Sequence, residues 1–199
     1  MRRPGAVAGL AMLLPAVILM GCSDLSAPTD PPRMASSAAA LESKGPDRAG
    51  AIIGDDSCDP ASFNAVLGDG ACTKPGPTTF DAFIAELATT QTARAWRFNP
   101  LQATTRAGAA VFVKNVGGEV HTFTPVAEFG GGFIQDLNDL SGNPVPVPEC
   151  LDFGTMVFVP SGGSSLIPGA ALAAVADADG AAKIECCLHP WMRAVVRIK

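Results

Sequence analysis

The two alternating segments at the end of the chain constrain its fold more than any other feature. Ala182, Ile184 and Cys186 fall on one face of the first, and Lys183, Glu185 and Cys187 on the other. In the second, Ala194, Val196 and Ile198 oppose Arg193, Arg197 and Lys199. A period of two is the mark of a half-buried strand, so the apolar sets define the core side of two strands. From about Ala93 onward, short segments broken by Gly and Pro repeat this style, which predicts a β-sandwich or barrel of about a hundred residues. Trp96 and Phe98 alternate before Asn99-Pro100, Val111 to Val113 follows a turn at Gly108, and His121, Phe123 and Pro125 alternate with Thr122 and Thr124. Trp96, Phe98 and Phe123 are expected in the core. Thr155 to Pro160 reads as a further strand whose Met156-Val157-Phe158-Val159 run predicts burial on both sides. The stretch from about Phe129 to Cys150 is a loop in which Phe133, Ile134, Leu137 and Leu140 predict a short helix.

The 199 residues suffice for one ordinary domain with extensions. Met1-Arg2-Arg3, an apolar run from Ala6 to Met20 and Gly21-Cys22 make an export signal over 1–21, and the run is short for a membrane span. Leu19-Met20-Gly21-Cys22 resembles a bacterial lipobox, which implies lipidation of Cys22 and attachment to a membrane surface. Residues 22–50 are Ser, Ala, Pro and Asp with few large apolar side chains, a flexible tether reaching on the order of 30 Å. Residues 51–92 form an extension in which Cys58 and Cys72 bracket a Gly- and Asp-rich loop, as a disulfide in an oxidising compartment does. Thr78 or Thr79 then caps a helix carrying Phe80, Phe83, Ile84 and Leu87 at helical spacing, with Asp81 in its first turn.

Between the last two strands lies Cys186-Cys187-Leu188-His189-Pro190-Trp191-Met192, which puts a thiolate, an imidazole and a thioether in one loop. That mixture of soft and borderline donors suits copper. The bland alternative is a zinc site, or a disulfide beside a structural histidine; a methionine in the ligand position argues against zinc. Of the adjacent cysteines, Cys186 shares the inward face with Ile184 and gives the Cys-x-x-His-x-x-Met spacing, so Cys187 is expected to point outward. The chain holds 2 histidines, and the second imidazole is therefore His121, after the Gly117-Gly118-Glu119-Val120 turn.

Trp96-x-Phe98-x-Pro100, Gly108-x-x-Val111 through Asn115, His121 and Cys186-x-x-His189-Pro190-x-Met192 resemble the cupredoxins, closest to the amicyanin and plastocyanin type. The resemblance covers about 93–199 and implies an all-β Greek-key sandwich carrying one type 1 copper ion. It implies a near-trigonal set of His121, Cys186 and His189 with Met192 at a longer axial distance. It assigns Asn115 to hydrogen bonds that tie the ligand loops together. It also makes the exposed edge of His189 the port for electrons, with Pro190 and Trp191 in an apolar docking surface around it. Two departures stand out: Ile184 replaces the usual aromatic two residues before the ligand cysteine, and Cys187 has no usual counterpart. Pairing Cys187 with Cys150 balances the count once Cys22 is lipidated and Cys58 joins Cys72; pairing Cys150 with Cys186 destroys the site.

The balance of 14 basic and 19 acidic residues, a formal charge of -5, argues against nucleic acid and anionic lipid as binding partners. Glu149, Asp152, Asp177, Asp179, Asp136 and Asp139 read as solvated carboxylates, and no Ser-His-Asp order, phosphate loop or paired-acid site stands out. Oxidases and nitrite reductases of this fold need further copper centres built from more histidines than this chain has. The expected function is therefore single-electron transport between redox partner proteins outside the cytoplasm, with no small-molecule substrate and no enzymatic step. Copper carriage or storage, and a metal-free interaction module, are the alternatives.

Overall fold

The computed structural model describes residues 50–199; the expected leader, the lipidation site Cys22 and all but the last residue of the tether lie outside them. Four strands form one mixed sheet: β1 (Ala51–Asp55), β2 (Arg97–Asn99), β4 (Val111–Asn115) and β8 (Ser164–Ile167), in the order β2-β1-β4-β8. Another four form the second sheet: β3 (Gln102–Thr105), β6 (Thr124–Val126), β9 (Ala181–Glu185) and β10 (Arg193–Ile198), in the order β3-β10-β9-β6. A short ribbon pairs β5 (His121–Thr122) with β7 (Phe158–Val159). One core joins the two sheets, with Ile52, Phe98, Val111, Val113 and Ile167 from the first meeting Ala182, Ile184, Ala194 and Val196 from the second. Phe98 and Phe123 stack at its centre with ring centroids 4.7 Å apart.

The closing hairpin has the predicted phase. Ala194 pairs with Ile184 and Val196 with Ala182, so the apolar faces coincide in register and all four side chains are buried. The opposite face departs from expectation, because Glu185 and Cys187 are also fully buried. The cause is the 129–150 loop, which folds across that face. Gly130 N–H donates to Glu185 at 3.1 Å, Phe133 N–H donates to the Cys187 carbonyl at 3.0 Å, and Cys150 joins Cys187 in a disulfide. Val126, Val147, Cys150, Met156 and Cys187 form a second small core there. Gly132 permits the approach, since a Cβ at that position would lie 1.8 Å from the Cys187 carbonyl oxygen. The helix expected in this loop is α3 (Gln135–Leu140), and its buried residue is Asn138, which both donates to and accepts from Gly132.

Other elements sharpen the prediction. Ala51–Asp55, expected in the extension, is an inner strand of the first sheet, parallel to β4 and antiparallel to β2. The strand expected over 155–160 shortens to Phe158–Val159, and Phe158 is 41% exposed rather than buried. Cys58 and Cys72 form the expected disulfide, and inside its loop lies α1 (Pro60–Leu67), capped by Asp59 with Pro60 at its first turn. Thr79 caps α2 (Phe80–Thr90), whose Phe83 and Leu87 are buried. Phe63 of α1 stacks on Trp96 at 5.7 Å, and Phe83 of α2 lies 4.5 Å from the same indole, so both helices are seated through aromatic contacts. The remaining helix, α4, is Gly169–Val175.

Two stability measurements follow. The Cys58–Cys72 bridge spans 14 residues, and Cys58→Ser with Cys72→Ser is expected to lower the unfolding free energy by about 3 kcal/mol, read from urea unfolding without reductant. Burial pushes the Glu185 carboxyl up to about 8 from an ordinary 4.5, with Arg193 and the Gly130 N–H offsetting only part of this. The folded state therefore keeps a proton that the unfolded chain has already lost. Its contribution is full below 4.5 and disappears as pH rises through about 8. In the metal-free protein Glu185→Gln is expected to remove this decline, gaining about 4 kcal/mol on the wild type between pH 5 and 9.

Candidate metal centre

The loop between β9 and β10 is closed by its own backbone. His189 N–H donates to the Cys186 carbonyl at 3.0 Å, Met192 N–H to the His189 carbonyl at 2.8 Å, and Cys186 N–H to the Met192 carbonyl at 3.1 Å. Two successive turns thus place Cys186, His189 and Met192 at three-residue intervals on a frame fixed by the hairpin, and all three are buried. Pro190 holds the second turn without leaving a donor unmet.

His121 comes from a different part of the chain. Asn115, at the end of β4, donates to the carbonyls of Glu119 at 2.7 Å and Val159 at 3.0 Å and accepts from Gly117 N–H at 2.9 Å. It ties the turn before His121 to β7, and these bonds do not extend to the Cys186–Met192 loop. The N-terminal segment grips the same turn from behind. Asp56 accepts from Gly118 N–H at 2.9 Å and Glu119 N–H at 3.0 Å, and Thr73 N–H donates to the Gly118 carbonyl at 2.9 Å. Lys74 Nζ reaches the Val116 carbonyl. Gly117 and Gly118 have no room for side chains: a Cβ would lie 2.0 Å from Asp56 Oδ2 at the first and 2.6 Å from Cys58 Sγ at the second.

These supports bring His121, Cys186 and His189 into one buried cluster whose potential ligand atoms all lie within 4.8 Å of one another. Cys186 Sγ is 3.9 Å from His121 Nδ1 and 3.6 Å from His189 Nδ1, and Thr122 N–H donates to the sulfur at 3.4 Å. Imidazole and thiolate bonds of about 2.0 and 2.3 Å to a metal, meeting at tetrahedral to trigonal angles, set the donors about 3.5–3.8 Å apart. The cluster fits a metal ion of that size with little movement. Burial alone pushes the Cys186 thiol up, but hydrogen bonds and positive charge from His121 and His189 outweigh it and hold the thiol well below its ordinary value. The thiolate is the form that binds metal. Among the described residues Cys186 is the free cysteine, so its sulfur is available to a metal ion.

Each imidazole also meets a buried carboxylate at its far nitrogen. His121 Nε2 lies 3.0 Å from Asp56 Oδ2, and His189 Nε2 lies 3.6 Å from Glu119 Oε2, which also accepts from the Trp96 indole N–H. Burial works to lower the His121 pKa, but Asp56 and Cys186 overcome it and raise it to about 9; Asp56 correspondingly falls to about 2 against its own burial. Burial raises the Glu119 carboxyl, with His189 and Trp96 opposing. Neither carboxylate stands out in the sequence as a site residue. Asp56 lies in the supposed extension and Glu119 in a glycine-rich turn; the only local signal is the glycine pair that lets a backbone close on a side chain.

The surroundings of His189 differ from the resemblance. The ring is 4% exposed, Pro190 is buried and Trp191 is half-buried. Trp191 lies edge-on to His189 at 5.4 Å and packs on Phe83 of α2 at 5.9 Å, and Glu119 stands 3.6 Å from the far nitrogen of the ring.

Two packed sheets thus carry a histidine delivered by β5 to a cysteine and a second histidine in the β9–β10 loop, a β-sandwich with a buried group that could hold a metal ion. No family model matches the chain, and no curated protein matches it. Among solved structures it is similar to a purple cupredoxin from Nitrosopumilus maritimus, at 17% identity and TM-score 0.32, over 54% of this chain and 86% of that one. It is also similar to dithionite-reduced auracyanin from the photosynthetic bacterium Roseiflexus castenholzii, at 19% identity and TM-score 0.31, over 52% of this chain and 87% of that one.

The clamp on the His121 turn is directly testable. Gly117→Ala drives a methyl into the Asp56 carboxylate and is expected to cost about 1–3 kcal/mol, measured by thermal or urea unfolding. Gly162→Ala serves as the control. Its Cβ meets nothing within 4 Å, so its cost is confined to its left-handed backbone, φ 75°.

Proposed function

We propose that the protein carries single electrons between redox partner proteins through one copper ion held by His121, Cys186, His189 and Met192. The observation that carries this reading is a buried Cys186 sulfur set between the Nδ1 atoms of two imidazoles, 3.6 and 3.9 Å away. Copper bound there supplies a one-electron couple between its cupric and cuprous forms. The rest is the work of the chain. Cys186, the two imidazoles and the Met192 thioether would hold the ion, and the β9–β10 turns and Asn115 fix the places from which they do so. Full burial of Cys186 and His121 excludes water. A cage of this rigidity lets the charge change with little rearrangement, which favours electron transfer over carriage of a labile ion. With both histidines committed to the metal, neither serves as a general base, and the proposal includes no transformation of substrate.

Because His189 is covered, electrons reach the site through the half-buried Trp191 indole rather than through an exposed imidazole edge. Two disulfides among the described residues support a location outside the cytoplasm. No helix among those residues is long and apolar enough to cross a membrane. Membrane attachment in this reading comes from lipid on Cys22.

The test is spectroscopic. Copper-loaded, oxidised protein is expected to show an intense blue or purple thiolate-to-copper absorption and a narrow copper hyperfine pattern in electron paramagnetic resonance, both lost in Cys186→Ala. Absence of the band in the wild type, or its persistence in the variant, overturns the reading.

A further inference from the structure

Four donors converge on Asp56. Its side chain is fully buried, Oδ1 accepts from the N–H groups of Gly118 at 2.9 Å and Cys58 at 3.2 Å, and Oδ2 accepts from Glu119 N–H at 3.0 Å. His121 Nε2 completes the set, 3.0 Å from Oδ2. A carboxylate held by backbone N–H groups offers only acceptors, so the ring nitrogen facing it bears a proton. The other ring nitrogen, Nδ1, faces Cys186 Sγ.

We infer that Asp56 is a positioning residue for the metal: it accepts the Nε2–H of His121, turns the Nδ1 lone pair toward the site, and keeps negative charge behind that ligand. This inference rests on the copper proposal. A carboxylate partner makes a ligand imidazole more electron-donating, and such partners set metal affinity as well as ring orientation. Fixed negative charge a few ångströms behind the ligand favours the more positive oxidation state, so Asp56 tightens binding of cupric more than cuprous ion. Glu119 stands behind His189 in the same sense, at 3.6 Å and without a hydrogen bond to the ring. Its influence is correspondingly weaker. The segment bearing Asp56 thus belongs to the metal centre, although it is 65 residues from the nearer histidine.

The experiment compares full-length wild type with Asp56→Asn and Glu119→Gln. Cupric and cuprous affinities are read by competition and the midpoint potential by redox titration. In Asp56→Asn an amide N–H replaces one acceptor oxygen, and cupric affinity is expected to fall 10- to 100-fold. A cupric loss tenfold greater than the cuprous loss appears as a rise of about 59 mV in potential. Glu119→Gln is expected to move the potential less, in the same direction. Unchanged affinity, or equal losses with an unshifted potential, in a folded Asp56→Asn protein overturns the inference. A second measurement needs no variant. In zinc-loaded wild type, nitrogen-15 spectra are expected to show a slowly exchanging proton on Nε2 of His121, and a proton on Nδ1 instead refutes the assignment. A wild type that binds copper without the thiolate band defeats the parent proposal, whereas a normal band with an unshifted variant defeats this inference alone.

Discussion

Burial of the ligand end of β9 on both of its faces is the constraint on which the rest of the structure depends. Neighbouring residues on a strand point to opposite sides. Cys186 therefore enters the main core, where His121 and His189 wait, while Cys187 enters the second small core and bonds Cys150. An exposed outer face would leave the ligand strand supported from one side only. Here the 129–150 loop acts as a second wall, fastened by a disulfide, by Phe133 N–H on the Cys187 carbonyl and by Gly130 N–H on Glu185. Thr122 links the two sides, donating its N–H to Cys186 Sγ and accepting from Cys187 N–H through its hydroxyl at 2.7 Å.

The histidine side of the site is braced by different means. The turn before His121 has little packing of its own, being two glycines and an acidic residue. It is held by the hydrogen bonds its N–H groups donate to Asn115 and Asp56 and by the Cys58–Cys72 bridge pressed against Gly118. The N-terminal part of the sandwich is therefore a structural component of the candidate metal site. It supplies an inner strand, a disulfide and a buried carboxylate to one side of the site and, through Phe83 and Trp191, an aromatic cover to the other.

Much of this was legible in the sequence, and the limits have physical causes. The closing hairpin declares itself because its inward apolar set keeps a period of two over both strands, despite Val195 on the opposite face, and the loop between them concentrates donors. The Thr79 cap and the Phe83 and Leu87 spacing make α2 equally plain. By contrast β1 is a five-residue strand, Ala-Ile-Ile-Gly-Asp, whose Gly54 exists to let Phe123 and His121 approach, and a glycine there reads as a break. The strands β3 and β8 are short and largely polar, so they carry little periodic signal. Burial of Glu185 and Cys187 depends on a loop folding over from elsewhere, which no period in β9 can report. The contacts of Asp56 and Glu119 with the imidazoles are long-range for the same reason.

The adjacent sulfurs at 186 and 187 have different fates. One is joined in a disulfide while its immediate neighbour is a free thiol, because neighbouring positions face opposite sides and only Cys187 faces the side on which Cys150 lies. The sheet thus decides which sulfur bonds Cys150 and which lies between the two imidazoles.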